Sequence, residues 1–276
     1  MTIKRLTVCA DDFAISRETS AVILRLLEDK RINATSCLVE TESWPEDAAA
    51  LRALSERMGT LEVGLHLNLT ERFAQSDAEL VRPVAQWALG GQVSDEARAR
   101  IRHALRRQWD RFVEAFGRAP DFLDGHQHVH LFSPMRAALF ELIDEVGFKG
   151  WVRQCRSPAL RWSVERVALD LMSARFVAQA RARGVATNTG FGGLRAFHAN
   201  ENLALLWARD LKALGPGALL MVHPGAGGSP PGTESIDACR RDEAAALSAG
   251  LLSSILARQG WVLDRFPKGV TRLSDK

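Results

Sequence analysis

Seven side chains able to ligate a metal or move a proton stand out in the chain: Asp11 and Asp12, His66, His126, His128 and His130, and His223. Adjacent aspartates leaving a strand point in different directions, so one can hold a cation while the other addresses a water molecule. An isolated pair serves as readily to cap a helix or to bond loop amides. His66 taken alone equally fits a satisfied core or loop histidine. The run Asp124-Gly125-His126-Gln127-His128-Val129-His130 spaces three imidazoles at every second residue. That spacing aligns them on one side of a continuing strand or fans them around a turn. With no cysteine motif present, such a cluster favours a bound transition metal.

These residues act together only if the fold gathers them, and the pattern around them predicts that it does. Short apolar runs alternate with amphipathic stretches, as in repeated βα units around a parallel sheet. Leu6–Ala10 reads as a buried strand ending in Asp11 and Asp12, followed by a helix over Ser16–Lys30. A strand over Ala34–Val39 precedes a helix from Ser43-Trp44-Pro45-Glu46 to Met58, with capping-box spacing at its start and Gly59 as its stop. Leu61–Leu67 is a strand with His66 near its end, Thr70–Gln92 is irregular, and Ser94 opens a helix closed by Gly117. Phe122-Leu123 is a short strand leading into the histidine run, and Ser133-Pro134 starts a helix to Val146.

The second half predicts strands over Trp151–Arg153 and Val185–Asn188, helices over Leu169–Arg183 and Asn202–Leu214, then the strand Leu219–His223. One helix, Asp242–Gln259, leads to a last strand at Trp261–Leu263. Seven to eight βα units in 276 residues predict an α/β fold, a single distorted (β/α) barrel forming one domain over residues 1–276. No glycine-rich dinucleotide fingerprint follows the first strand. In such a barrel the active site lies at the carboxyl ends of the strands, where five of the candidates fall: Asp11, Asp12, His66, His126 and His223. Their convergence is a stronger signal than any one motif.

Composition excludes other classes of protein. With 46% hydrophobic and 25% charged residues, the chain suits a globular fold. Arg102, Arg106, Arg107 and Arg111 recur at helical spacing, the pattern of a solvated helix face, and no DNA-binding motif accompanies the net charge of +3. Cys9, Cys37, Cys155 and Cys239 contain no C-x-x-C pair and suit a reducing compartment. Neither a signal peptide nor a membrane span is expected, which predicts a cytoplasmic protein. Oligomeric state stays open, and a homo-oligomer is compatible with the sequence.

Four segments, in order and spacing, resemble the YdjC-like carbohydrate deacetylases, which include chitooligosaccharide deacetylases. They are Ala10-Asp11-Asp12-Phe13, Gly64-Leu65-His66-Leu67-Asn68-Leu69-Thr70, Asp124 to His130, and Val222-His223-Pro224-Gly225. The resemblance covers nearly the whole chain and implies a barrel related to polysaccharide deacetylases. It implies one divalent cation on Asp12, His66 and His126, with Asp11 as general base and His223 as general acid. Arg153 is similar to an arginine that steadies the base or the substrate. Asp124, His128 and His130 are expected to orient ligands or touch the sugar, and Phe191 belongs to a segment, Thr189–Leu194, that broadly resembles a substrate loop. The sequence departs from the family at Ala14, where the family has Gly.

The expected reaction is removal of an N-acetyl group from a small amino-sugar saccharide or glycoconjugate. One carboxylate and two imidazoles suit zinc better than magnesium. A cation with open positions would activate water and stabilise charge on the acetyl oxygen, while an acid protonates the departing nitrogen. Competing readings are another metal-dependent amidohydrolase or phosphoesterase, a glycosidase using Glu40 and Glu42, and a non-catalytic sugar-binding barrel. Trp44, Phe73, Phe132 and Phe191 are candidates for stacking on a sugar ring.

Overall fold

The first strand runs well past its apolar stretch. In the computed structural model, which describes residues 4–88, 93–158, 164–198, 201–229 and 236–265, β1 spans Lys4–Phe13 and carries Asp11 and Asp12 within it. Its register against β2 (Ala34–Cys37) slips between Ala10 and Phe13. Asp12 at φ +64° and Ala14 at φ +70° both lie in the left-handed region. Such a bulge bends a strand and re-aims its side chains. Here the strand turns exactly where the two carboxylates must diverge.

β3 (Glu62–Leu67), β4 (Phe122–Gly125), β5 (Trp151–Val152) and β6 (Ala186–Thr187) continue the sheet on one side of β2. β8 (Ala218–Val222) and β7 (Phe191–Gly192) extend it beyond β1, and β9 (Trp261–Leu263) also pairs with β1. The strand order is β6-β5-β4-β3-β2-β1-β8-β7, with every pairing parallel. Helices between the strands make the fold a distorted (β/α) barrel, as the alternating pattern predicts. One large cluster of buried apolar side chains runs from Leu6 to Trp261, and a small satellite joins Ile15, Leu38 and Phe73.

Among the described residues no ladder joins β6 to β7. Residues 188–190 run directly from β6 into β7, and Asn188, 2% exposed, ties that stretch to the segment after β5. Its Oδ1 accepts from Gln154 N at 2.8 Å, and its Nδ2 donates to Gln154 O at 3.0 Å and to Gly190 O at 2.9 Å. A side-chain amide thus makes the two bonds that a neighbouring peptide would make. Phe191 N adds a bond to Arg156 O at 3.0 Å.

The helices are α1 (Arg17–Glu28), α2 (Trp44–Met58), α3 (Val84–Ala88), α4 (Asp95–Phe116), α5 (Ser133–Val146), α6 (Val164–Ala182) and α7 (Leu203–Ala213), then α8 (Asp237–Ser248) and α9 (Leu251–Gln259). Ser16 and Ser94 cap α1 and α4 as their sequences predict, accepting from Thr19 N and Ala97 N. Ser43 does not form the expected capping box. Its backbone is already helical, and its hydroxyl donates to Ala14 O at 2.9 Å, steadying the bulged end of β1. The predicted single helix Asp242–Gln259 is two helices, because Gly250 takes φ +76° and breaks the ladder between α8 and α9. The two-residue strand β7 was not expected and is too short for a periodic signal. Residues 89–92 of the predicted irregular segment lie outside the described residues.

Three arginines of the run on α4 form ion pairs, while Arg111 donates to the Gln75 amide oxygen. Arg102 meets Glu141, Arg106 meets Asp110 and Glu145, and Arg107 meets Glu40. No helix among the described residues is long and apolar enough to cross a membrane.

Candidate metal centre

The bulge in β1 brings Asp12 against two imidazoles, one on β3 and one in the turn after β4. Its Oδ1 lies 2.8 Å from His126 Nδ1 and 3.4 Å from His66 Nε2. The available donor atoms of Asp12, His66 and His126 all fall within 4.8 Å of one another, and the three residues are buried. His66 ends β3, and its Nδ1 donates to Asp124 Oδ1 on β4 at 2.7 Å. That bond points Nε2 toward Asp12, the arrangement in which a carboxylate orients a metal-binding histidine. Ser36 Oγ donates to the same Asp124 oxygen at 2.5 Å.

A second group, Asp11 with His66 and Asp124, is equally close-packed. Its carboxylates are already engaged by Arg153. Arg153 NH1 donates to Asp11 Oδ2 and its NH2 to Asp11 Oδ1, both at 2.6 Å, and NH2 also lies 2.6 Å from Asp124 Oδ2. Asp12, His66 and His126 could hold a divalent cation: one carboxylate and two imidazoles, already converging, with His66 held by a carboxylate behind it.

Electrostatics follow from this crowding of buried charge. Burial alone would raise the Asp11 carboxyl, but the Arg153 charge and its hydrogen bonds outweigh it and hold Asp11 below the usual carboxylate range. The same contest, with Arg153 and His66 opposing burial, brings Asp124 down to about 2. Burial would lower His66, yet Asp124, Asp11 and Asp12 overcome that and raise it to about 10. Without a cation, His66 carries a proton between these anions.

The histidine run does not continue β4 as a strand. It forms a 3₁₀ turn, His126–Leu131, in which Gln127 and His128 take φ +50° and +59°. The three imidazoles fan apart. His126 meets Asp12. His128, half-buried, sets its ring edge-on to Phe191 at 5.5 Å, with Nδ1 3.5 Å from Cys155 Sγ, and burial pushes it well below its ordinary value. His130 is fully buried, and its Nε2 bonds to the Arg153 carbonyl at 2.9 Å. Burial lowers His130 to about 4, so at neutral pH it is the neutral donor to that carbonyl. It supports the backbone of Arg153.

His223 directly follows β8. Its backbone N–H donates to a carboxylate oxygen of Glu243 on α8, and its ring lies edge-on to Phe197 at 5.0 Å. Burial lowers the imidazole to about 4 against the pull of Asp12 and Asp11, whose charges reach it. Glu40 is buried with Arg107 and Ser76, while Glu42 is exposed, so the two glutamates occupy different environments. Trp44, Phe73, Phe132 and Phe191 are all buried.

Sequence reasoning missed Arg240, whose NH2 donates to Asp12 Oδ2 at 2.6 Å, and Glu243, which holds His223. It also missed Ser36 and Cys9, the latter 3.2 Å from Arg153 NH2. The spacing Arg240-x-x-Glu243 puts both on one helix face and was a readable signal. Nothing set it apart among 36 Lys and Arg residues.

Among known proteins, a chitooligosaccharide deacetylase of Proteus mirabilis is 27% identical over 274 residues, spanning 95% of this chain and 97% of that one. One of Salmonella paratyphi B is 32% identical over 133 residues, 46% of this chain and 50% of its own length. A crystal structure from Enterococcus faecalis V583, of a protein assigned as a cellobiose-phosphate cleavage protein, superposes with a TM-score of 0.73. It is 18% identical and covers 98% of this chain and 100% of that one, a likeness of fold. The model of the family described as YdjC-like protein matches residues 5–258, and the chain belongs to that family.

Proposed function

We propose that the protein is a metal-dependent hydrolase that removes an N-acetyl group from a small amino-sugar saccharide and releases acetate. The observation that carries this reading is the buried convergence of Asp12, His66 and His126 beside the Arg153-bound Asp11 and His223. Family membership and the name of the Proteus mirabilis relative support the substrate class. The donor set favours zinc over magnesium. A divalent cation held by those three residues would lower the pKa of a water and stabilise negative charge on the acetyl oxygen.

The remaining chemistry belongs to the chain. Asp11 is ionised at neutral pH, and each of its oxygens accepts one guanidinium bond, which leaves lone pairs free to take a proton from water. Arg153 fixes the direction of that carboxylate. His223, neutral at rest, must receive a proton before it can give one. Asp11, protonated after water attacks, is the group that releases one, and its charge already reaches His223. The proton then passes to the sugar nitrogen, allowing the C–N bond to break. A binding protein has no use for a base and an acid so placed.

The test is mass spectrometry of products from metal-loaded protein and a panel of N-acetylated sugars. Loss of one acetyl group with free acetate is the expected result. Shortened sugar chains with every acetyl retained would replace this reading with a glycosidase.

A further inference from the structure

The two oxygens of Asp12 face different partners. Oδ1 looks toward His126 Nδ1 at 2.8 Å and His66 Nε2 at 3.4 Å, while Oδ2 accepts Arg240 NH2 at 2.6 Å. Asp12 and Arg240 are each about 1% exposed, so no water competes for that bond. Arg240 is itself fixed from two directions. Its carbonyl accepts Gly225 N at 3.1 Å, and a Cβ on Gly225 would meet Arg240 Cδ at 3.2 Å and Thr19 Oγ1 at 2.7 Å, so only glycine permits this approach. One turn later Glu243 holds the backbone of His223, tying α8 to the end of β8.

A carboxylate binds a cation through one oxygen or through both. In a three-ligand site, a second oxygen from the same carboxylate takes a position that water or substrate needs. We propose that Arg240 is a positioning residue that restricts Asp12 to ligation through Oδ1 and so keeps a coordination position open. The idea rests on Asp12, His66 and His126 being the ligands. It also has an unusual sign. Arg240 places a positive charge beside the cation, so its loss frees Oδ2 to chelate and removes a repulsion, and binding should tighten as turnover falls.

The experiment uses the full chain loaded with cobalt(II), whose visible absorption weakens as coordination number rises. Arg240→Met, which removes every donor, should show weaker visible bands and an equal or lower cobalt dissociation constant in competition with a chromophoric chelator. Its turnover should be about 10- to 100-fold lower, as for loss of other partners that orient ligands. Arg240→Lys, which keeps a donor, should retain the wild-type spectrum. A wild-type spectrum in Arg240→Met, or weaker cobalt binding, overturns the proposal. Should the Met variant not fold, a crystal structure of the cobalt-loaded wild type decides: one Asp12 oxygen within bonding distance is expected, and two would refute it. His66→Ala separates the two readings. If that variant binds cobalt like the wild type, the ligand assignment fails; if it loses cobalt while Arg240→Met behaves like the wild type, only the role of Arg240 fails.

Discussion

Arg153 grips Asp11 through both terminal nitrogens at 2.6 Å, and its carbonyl is in turn held by His130 at 2.9 Å. A planar fork matched to a carboxylate is something lysine cannot supply. Arg153→Lys keeps the charge and loses the fork, and is expected to lower kcat by about 100-fold, within the range for general base catalysis, with little change in KM. Because Arg153 lowers the Asp11 carboxyl, a weaker pairing lets it rise, and the acid limb of the pH–rate profile should move to higher pH. An unmoved limb with near-normal kcat would remove Asp11 as the base.

Metal loading should displace a proton. With His66 raised to about 10 in the cation-free protein, its imidazole is protonated at pH 8 and must become neutral to donate its lone pair. Calorimetric titrations of zinc in buffers of different ionisation enthalpy should report about one proton released per site at that pH. No buffer dependence would mean that His66 is not a ligand.

The cation-free protein should lose stability in acid, in part through Asp124. Asp124 falls to about 2 in the fold, below its unfolded value of about 3.9. A depressed carboxylate contributes stability that is present above the unfolded value and lost as pH falls through the folded one. Chemical unfolding of Asp124→Asn should therefore show a flatter pH dependence between about 4 and 2 than the wild type. It should also be less stable at pH 7 by about 3 kcal/mol, because Arg153 loses a buried partner.

Ala14 sits at φ +70° and is fully buried. The left-handed conformation costs a residue with a Cβ roughly 1–2 kcal/mol, partly offset in Gly by the greater entropy of its unfolded chain. Ala14→Gly should stabilise the fold by up to about 1 kcal/mol in urea unfolding, with activity unchanged. A loss of stability would show that the Ala14 methyl group contributes more by packing than its backbone loses by strain.

How far the fold could be read from the sequence depended on length. β3, β8 and the helices α1, α4 and α5 have enough residues for a period and clear end signals, and they fall where the pattern puts them, while β1 runs beyond its apolar stretch. β5, β6 and β7 have two residues each, too few for any period, so the second half was sketchy and β7 was missed. The positions of Asp12, His66 and His126 were legible because they sit at strand ends beside other unusual residues. Arg240, Glu243 and Ser36 were not, because their importance comes from a partner far away in the chain. The fan of the histidine run was also hidden, since it depends on two left-handed residues, Gln127 and His128, that no glycine announces.

Because β6 pairs with β5 and β7 with β8, the chain running through residues 188–190 makes the barrel a hoop closed by its own backbone. Every other joint in the hoop is a ladder of peptide bonds that shares strain among several residues. Between β6 and β7 it is the backbone itself, steadied by Asn188 against Gln154 and by the Phe191 N bond to Arg156 O. The stretch between the wall that carries Arg153 and the wall that carries His223 is thus spanned by three residues of covalent chain, which cannot slip register as a ladder can.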